Sequence, residues 1–363
     1  MPATLHRRDL LRAACVVPAL AMVGMAGGEA RMSRVAVASR RYGAAVRPGP
    51  LLGDAALREA VIADCDWLTP EIDWKWNALE HQRGGWWFER GDALVAFARA
   101  HGKLLRGHTL LWEQSTPDWA RKELAERGDW RLVERWFAQA LGRYGAAACE
   151  WDVVNEPIDT VGGEDGLRRT CFQRAFGADY IARALHLARR HAPDTRLMVN
   201  EYGLDYANRE ERDRRRALLR LVERLRRDGA PLDGVGVQAH LDLAKGPLDA
   251  AGIAAMLREI AGMGLSITIT ELDVREADRS PPLADRDHAI DDAVRRYLDI
   301  VLAEPAVRGV VSWGVSDRDS WLQQGIAAAT PDQLNRGLPY DARLRPKPVL
   351  ATLRHALQAD PAA

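Results

Sequence analysis

Trp151-Asp152-Val153-Val154-Asn155-Glu156-Pro157 decides how this chain is read. A short β-branched run that closes on a carboxylate is the signature of a buried strand whose last residue leaves the sheet. Ile267-Thr268-Ile269-Thr270-Glu271-Leu272-Asp273 repeats the pattern. Working outward from Arg41, comparable runs cover Tyr42–Val46, Trp67–Ile72, Leu104–Trp112, Glu150–Val154, Leu197–Asn200, Gly234–Ala239, Ser266–Thr270 and Val307–Trp313. Those eight runs alternate with stretches of 3.6 period. One is Leu218, Leu221, Val222 and Leu225, closed by Gly229; another is Tyr180, Ile181, Ala184, Leu185 and Ala188, ending before Pro193. Eight strand-then-helix units predict an α/β fold, a single (β/α)8 TIM barrel over residues 40–357, because parallel strands need helical crossovers.

Length permits this: 363 residues suit one large barrel, and 47% apolar residues supply its core. The formal net charge is +0, and no basic stripe interleaved with aromatics appears, so nucleic acid is not an expected partner. Twelve tryptophans stand against five phenylalanines. That excess fits core filling, and indole faces also suit the apolar faces of sugar rings. Arg7-Arg8-Asp9-Leu10-Leu11-Arg12, followed by an apolar run from Ala13 to about Gly27, predicts a twin-arginine-type signal peptide over residues 1–30. A periplasmic or secreted protein with no membrane attachment after cleavage is expected, and a monomer. Beyond that run lie Cys65, Cys149 and Cys171, an odd number without CxxC spacing. No disulfide framework, metal site or cofactor is expected; small buried hydrophobes are their expected role.

The strands gather reactive side chains at their C-terminal ends. Strand two ends at Glu71 with Lys75 just beyond; strand three delivers His108 and Trp112; strand four ends at Asn155 and Glu156. Asn200, Glu201 and Tyr202 close strand five, Gln238 and His240 strand six, Glu271 and Asp273 strand seven, and Trp313, Asp317 and Trp321 strand eight. Loops at that end of a barrel converge on one cleft, so these residues are expected to face each other. Two carboxylates on two such strands are what glycosidic-bond cleavage requires.

At this point a resemblance becomes specific. The chain resembles glycoside hydrolase family 10, the endo-1,4-β-xylanase family, through Arg106-Gly107-His108-Thr109-Leu110, Trp151 to Pro157, Gly234-Val235-Gly236-Val237-Gln238-Ala239-His240, Ile269-Thr270-Glu271-Leu272-Asp273, Trp313 with Ser320-Trp321, and Arg345-Pro346-Lys347-Pro348. These marks occur in family order over almost the whole chain beyond the leader. The resemblance implies a retaining double displacement, with Glu156 as general acid/base and Glu271 as nucleophile. Retaining enzymes hold their two carboxyls roughly 5–5.5 Å apart. His240 and Asp273 are then expected to orient Glu271, and Asn155 to bind the 2-hydroxyl beside the cleaved bond. Glu71, Lys75, His108, Trp112, Tyr202, Gln238, Trp313 and Trp321 are expected to bind the polysaccharide or oligosaccharide substrate.

Three positions depart from the family pattern: Ile72 replaces an asparagine, Glu113 a histidine and Ser115 a glutamine. By resemblance these positions grip the sugar two places from the cut on the non-reducing side. Losing polar partners there weakens discrimination. Weak action on plain linear xylan is expected, with better activity on decorated or short oligosaccharides. Two alternatives stay open: a retaining barrel glycosidase acting on another β-glycan, and a carbohydrate-binding protein with weak turnover.

Overall fold

The computed structural model describes residues 40–328 and 330–358; residues 1–30, where a twin-arginine-type signal is expected, lie outside the described residues. Nine parallel strands follow in chain order: β1 Arg41–Val46, β2 Trp67–Pro70, β3 Leu104–Gly107, β4 Ala148–Asn155, β5 Arg196–Glu201, β6 Gly234–Val237, β7 His240–Asp242, β8 Ser266–Arg275 and β9 Val307–Ser312. They pair in the order β1 to β6, then β6 with β8, β8 with β9, and β9 back onto β1. The ring is closed. β6 and β7 are two halves of one stave, pairing with the lower and upper parts of β8, so the barrel has the eight staves that the sequence predicts.

The crossover helices are Ala55–Asp64, Glu89–Ala100, Arg131–Tyr144, Tyr180–His191, Arg209–Arg227, Ala250–Gly262, Leu283–Val301 and Pro348–Gln358. Arg209–Arg227 illustrates why they form. The Asn208 side chain caps its start by accepting from the Glu211 amide at 2.9 Å, and Glu210 and Glu211 sit in its first turn, with Arg224, Arg226 and Arg227 in its last. That charge order complements the helix dipole. Leu218, Leu221, Val222 and Leu225 are buried, and Gly229 follows at φ 72, where a side chain would be strained.

Most of the tryptophan excess fills the core: Trp67, Trp74, Trp76, Trp136 and Trp151 are fully buried. Trp151 stacks on Trp74 at 5.3 Å, and Trp74 on Tyr144 at 4.4 Å. Gly107 makes room for this, since a Cβ there would fall 2.0 Å from the Trp151 ring. Cys65 and Cys171 are buried free thiols, while Cys149 is only half-buried. Among the described residues no helix is long and apolar enough to cross a membrane, and no acidic, histidine or cysteine cluster could hold a metal ion.

Candidate active site

A cleft of about 410 Å³ opens at the C-terminal ends of the strands. Glu71, Lys75, His108, Trp112, Asn155, Glu156, Tyr202, Gln238, His240, Glu271, Trp313 and Trp321 all line it. Asp273, the remaining residue given a role there, is buried directly behind His240. Asp317 departs from expectation. It is buried away from the cleft and holds Lys347, 2.8 Å distant, so it ties the Arg345-Pro346-Lys347-Pro348 segment to the β9 loop. A buried carboxylate needs such a partner.

Glu156 follows β4 directly and adopts a left-handed backbone, φ 55. Its amide donates to the Asn200 carbonyl at 2.8 Å, so the peptide turns out of the sheet. Glu271 lies within β8, where its amide donates to the Gln238 carbonyl at 3.0 Å. Asn200 bridges the two sites. Its Nδ2 has two protons; one goes to Glu271 Oε1 at 2.6 Å and the other to Asn155 Oδ1 at 2.8 Å. The Thr270 hydroxyl donates to Asn200 Oδ1 at 2.7 Å, which fixes the amide's orientation. Asn155 Oδ1 also accepts from Gln238 Nε2 at 3.4 Å, leaving Asn155 Nδ2 to donate to Glu156 Oε1 at 3.2 Å. Two amides thus connect the carboxylates across the cleft.

The break between β6 and β7 aims His240. Ala239 takes φ 61 there, a conformation that persists only where surroundings hold it. His240 Nε2 then donates to Glu271 Oε2 at 3.3 Å, and Nδ1 to Asp273 Oδ1 at 2.8 Å. Trp321 Nε1 donates to the other Asp273 oxygen at 2.6 Å. With a carboxylate on each ring nitrogen, both nitrogens must be donors and the ring is an imidazolium. Burial pulls its pKa down, but Asp273 and Glu271 overcome that and raise it to about 10. Burial likewise pushes Glu271 up, yet the His240 hydrogen bond and the charges of His108, His240 and Lys75 bring it down to about 2. Glu271 is therefore a carboxylate at any ordinary pH.

This coupling has a measurable consequence. Replacing His240 with asparagine removes the main group depressing Glu271, so the acid limb of kcat/KM should move up by about one unit or more. Stability follows the same linkage. Glu271, depressed from 4.5 in the fold, stabilises above 4.5 and that contribution is lost as pH falls through about 2. His240, raised from 6.5, stabilises below 6.5 and its contribution is lost as pH rises through about 10. An unchanged acid limb in His240→Asn would show that the pair is not coupled.

The remaining walls are aromatic and cationic. Lys75 Nζ stands 4.4 Å from the Trp112 ring and 5.7 Å from Trp313, with its pKa lowered by burial against the pull of Glu271. His108 meets the edge of Trp313 at 5.0 Å, and His240 that of Trp321 at 5.2 Å. Beneath His108 lies a fully buried charge cluster. Asp152 Oδ2 is 2.9 Å from His108 Nδ1 and 2.8 Å from Arg106 Nη1, while Arg106 Nε reaches Glu150 at 2.6 Å. Glu71 is held by Arg47 at 3.4 Å.

Sequence reasoning gave Asn200 no role, although its strand-end position was visible. It also missed Gln114 and Gln324, which line the cleft. The short 3-10 turn Glu113–Ser115 turns Gln114 toward the cleft; Ser115 is buried and donates back to the Trp112 carbonyl at 3.5 Å. Glu113 points away, accepting from the Cys171 amide at 2.6 Å.

A closed parallel barrel whose C-terminal mouth holds paired carboxylates and a wall of indoles defines a barrel glycoside hydrolase. The chain belongs to glycosyl hydrolase family 10, whose model matches residues 32–356. It is 30% identical to endo-1,4-beta-xylanase 1 of Humicola insolens over 93% of this chain and 76% of that one. With the endo-1,4-beta-xylanase of Agaricus bisporus the identity is 31%, over 88% and 92%. Among solved structures, xylanase 10B from Thermotoga maritima superposes with a TM-score of 0.78 at 25% identity, over 88% of this chain and 95% of that chain. Xylanase 10B from Thermotoga petrophila RKU-1, solved with xylobiose, gives 0.77 at 25% identity, over 88% and 94%.

Proposed function

We propose that this enzyme hydrolyses β-1,4-linked xylose chains with retention, Glu271 serving as nucleophile and Glu156 as general acid/base. One observation carries the reading: Glu271 is a doubly hydrogen-bonded, fully ionised carboxylate in the same cleft as Glu156. In the first step a Glu271 oxygen attacks the anomeric carbon, the glycosidic C–O bond breaks, and Glu156 gives its proton to the departing oxygen. In the second, Glu156 takes a proton from water, and the water oxygen displaces Glu271. Asn155 contacts the 2-hydroxyl, and Trp112, Trp313 and Trp321 carry sugar faces.

The non-reducing side of the cleft differs in its grip. Ile72 is 44% exposed at the rim, and its side chain offers no hydrogen bond. Gln114 supplies an amide one position before Ser115. It also lines an adjoining cavity of about 530 Å³ whose walls include Asn77, Gln82, Arg83 and Trp119. Short or decorated xylo-oligosaccharides are therefore better substrates than plain linear xylan. Assays on a panel of linear xylan, decorated xylo-oligosaccharides and aryl β-xylosides and β-cellobiosides test this. Ile72→Asn is expected to raise kcat/KM on linear xylo-oligosaccharides about five- to tenfold, the worth of roughly one neutral hydrogen bond. Preference of the unaltered enzyme for plain xylan, or no gain in the variant, would reject the altered subsite; turnover only of β-cellobiosides would reject xylose chains.

A further inference from the structure

The turn that carries Glu156 is gripped by charged groups outside the cleft. Glu156 combines a left-handed backbone with a following proline, and both restrict it. Arg168, twelve residues on, donates from Nε to the Glu156 carbonyl at 2.9 Å and from Nη2 to the Ile158 carbonyl at 3.2 Å. Arg214, from helix Arg209–Arg227, donates to the same Ile158 carbonyl at 3.1 Å and to the Tyr202 carbonyl at 3.0 Å. Glu201 completes the arrangement at the end of β5. One of its oxygens accepts from the Ile158 amide at 2.8 Å; the other accepts from Arg214 Nη2 at 2.5 Å and the Tyr202 amide at 3.0 Å.

Ile158 is thus held through both its N–H and its C=O, and Glu156 through its C=O. Glu201 is wholly buried and Arg214 nearly so. A buried ion pair of this kind contributes little net stability for its desolvation cost, and here both partners are spent on the backbone groups of the turn and of Tyr202. Burial raises the Glu201 carboxyl to about 7, with Arg214 opposing and Glu156 adding to the rise. Arg168 also donates to the Tyr202 hydroxyl at 2.9 Å, which fixes the cleft-lining ring next to the turn.

We propose that Arg168 and the buried Glu201–Arg214 pair are positioning residues for the general acid, holding the Glu156–Ile158 turn so that the Glu156 carboxyl meets the leaving-group oxygen. The proposal rests on the reading of Glu156 as acid. A displaced acid impairs only substrates whose leaving group needs a proton, a distinction that a general loss of structure does not make.

The test is kcat/KM for two aryl β-xylobiosides, one with a 2,4-dinitrophenyl and one with an unactivated phenyl leaving group. Arg168 is only half-buried, so Arg168→Ala should fold. It is expected to lose about 10- to 100-fold on the phenyl substrate and less than about threefold on the dinitrophenyl one. Glu201→Gln, which keeps the side-chain shape, is expected to show the same split. Equal losses on both substrates, or no loss in either variant, overturn the proposal. Glu156→Ala serves as the reference. Leaving-group dependence there but not in Arg168→Ala or Glu201→Gln overturns the clamp alone; its absence in Glu156→Ala overturns the reading of Glu156, and the clamp with it.

Discussion

Glu271→Ala is expected to lower kcat by on the order of 10⁵-fold or more, the scale seen when a hydrolase loses its covalent nucleophile. At about 1.4 kcal/mol per decade that is roughly 7 kcal/mol of transition-state stabilisation. The size follows from how much of the site converges on this one side chain. Asn200 and His240 each give it a hydrogen bond, and Lys75 adds positive charge. Those groups stabilise a negative charge in the free enzyme and receive it back when the glycosyl-enzyme breaks down. Without the carboxylate, the imidazolium at His240 keeps Asp273 but faces an empty anomeric position. Steady-state turnover of an aryl β-xyloside is the measurement. A loss of less than about 100-fold would be too small for a covalent nucleophile and would move that role elsewhere.

Glu156→Ala is expected to lose about 10²- to 10⁴-fold on substrates with poor leaving groups, the usual span of general acid catalysis. The more telling outcome is rescue. Azide needs no base to attack, so it should enter the space left by the carboxyl and restore activity on activated substrates. The product should be the β-glycosyl azide, because two displacements at the anomeric carbon return the original configuration. An α-configured azide would mean a single displacement and would overturn the retaining mechanism. Recovery with no azide adduct would show that the anion acts elsewhere.

Much of this site was legible in the chain because it is written locally. A strand that ends on Asn155-Glu156-Pro157 declares its direction and its exit point within seven residues, and Ile267 to Asp273 puts Glu271 on a second strand, although β8 runs on past it to Arg275. Twelve of the thirteen residues given a catalytic or binding role line the cleft, and Asp273 lies directly behind. What could not be read is which way single residues turn. Ser115 and Gln114 are neighbours, and the 3-10 turn Glu113–Ser115 decides which of them faces sugar. Asp317 has the composition and position of a cleft acid, but Lys347, thirty residues on, claims it. Trp151 lies within β4 and Trp313 just past β9; Gly107 admits the first into the core, while the second stays in the cleft.

By itself the sequence determined the stave count, the helical crossovers and the two carboxylates carried by barrel strands. Period-2 and period-3.6 patterns and β-branched runs act over a few residues, and they leave closure into one barrel as the arrangement that buries all the apolar faces. Only the tertiary structure decided the imidazolium bridging Glu271 and Asp273, the Asn155–Asn200 connection and the arginine grip on the Glu156 turn. Each joins groups from separate strands and loops. The imidazolium bridge and the arginine grip also lie beside positive backbone angles, at Ala239 and Glu156 respectively, which the packed barrel imposes and no local preference encodes.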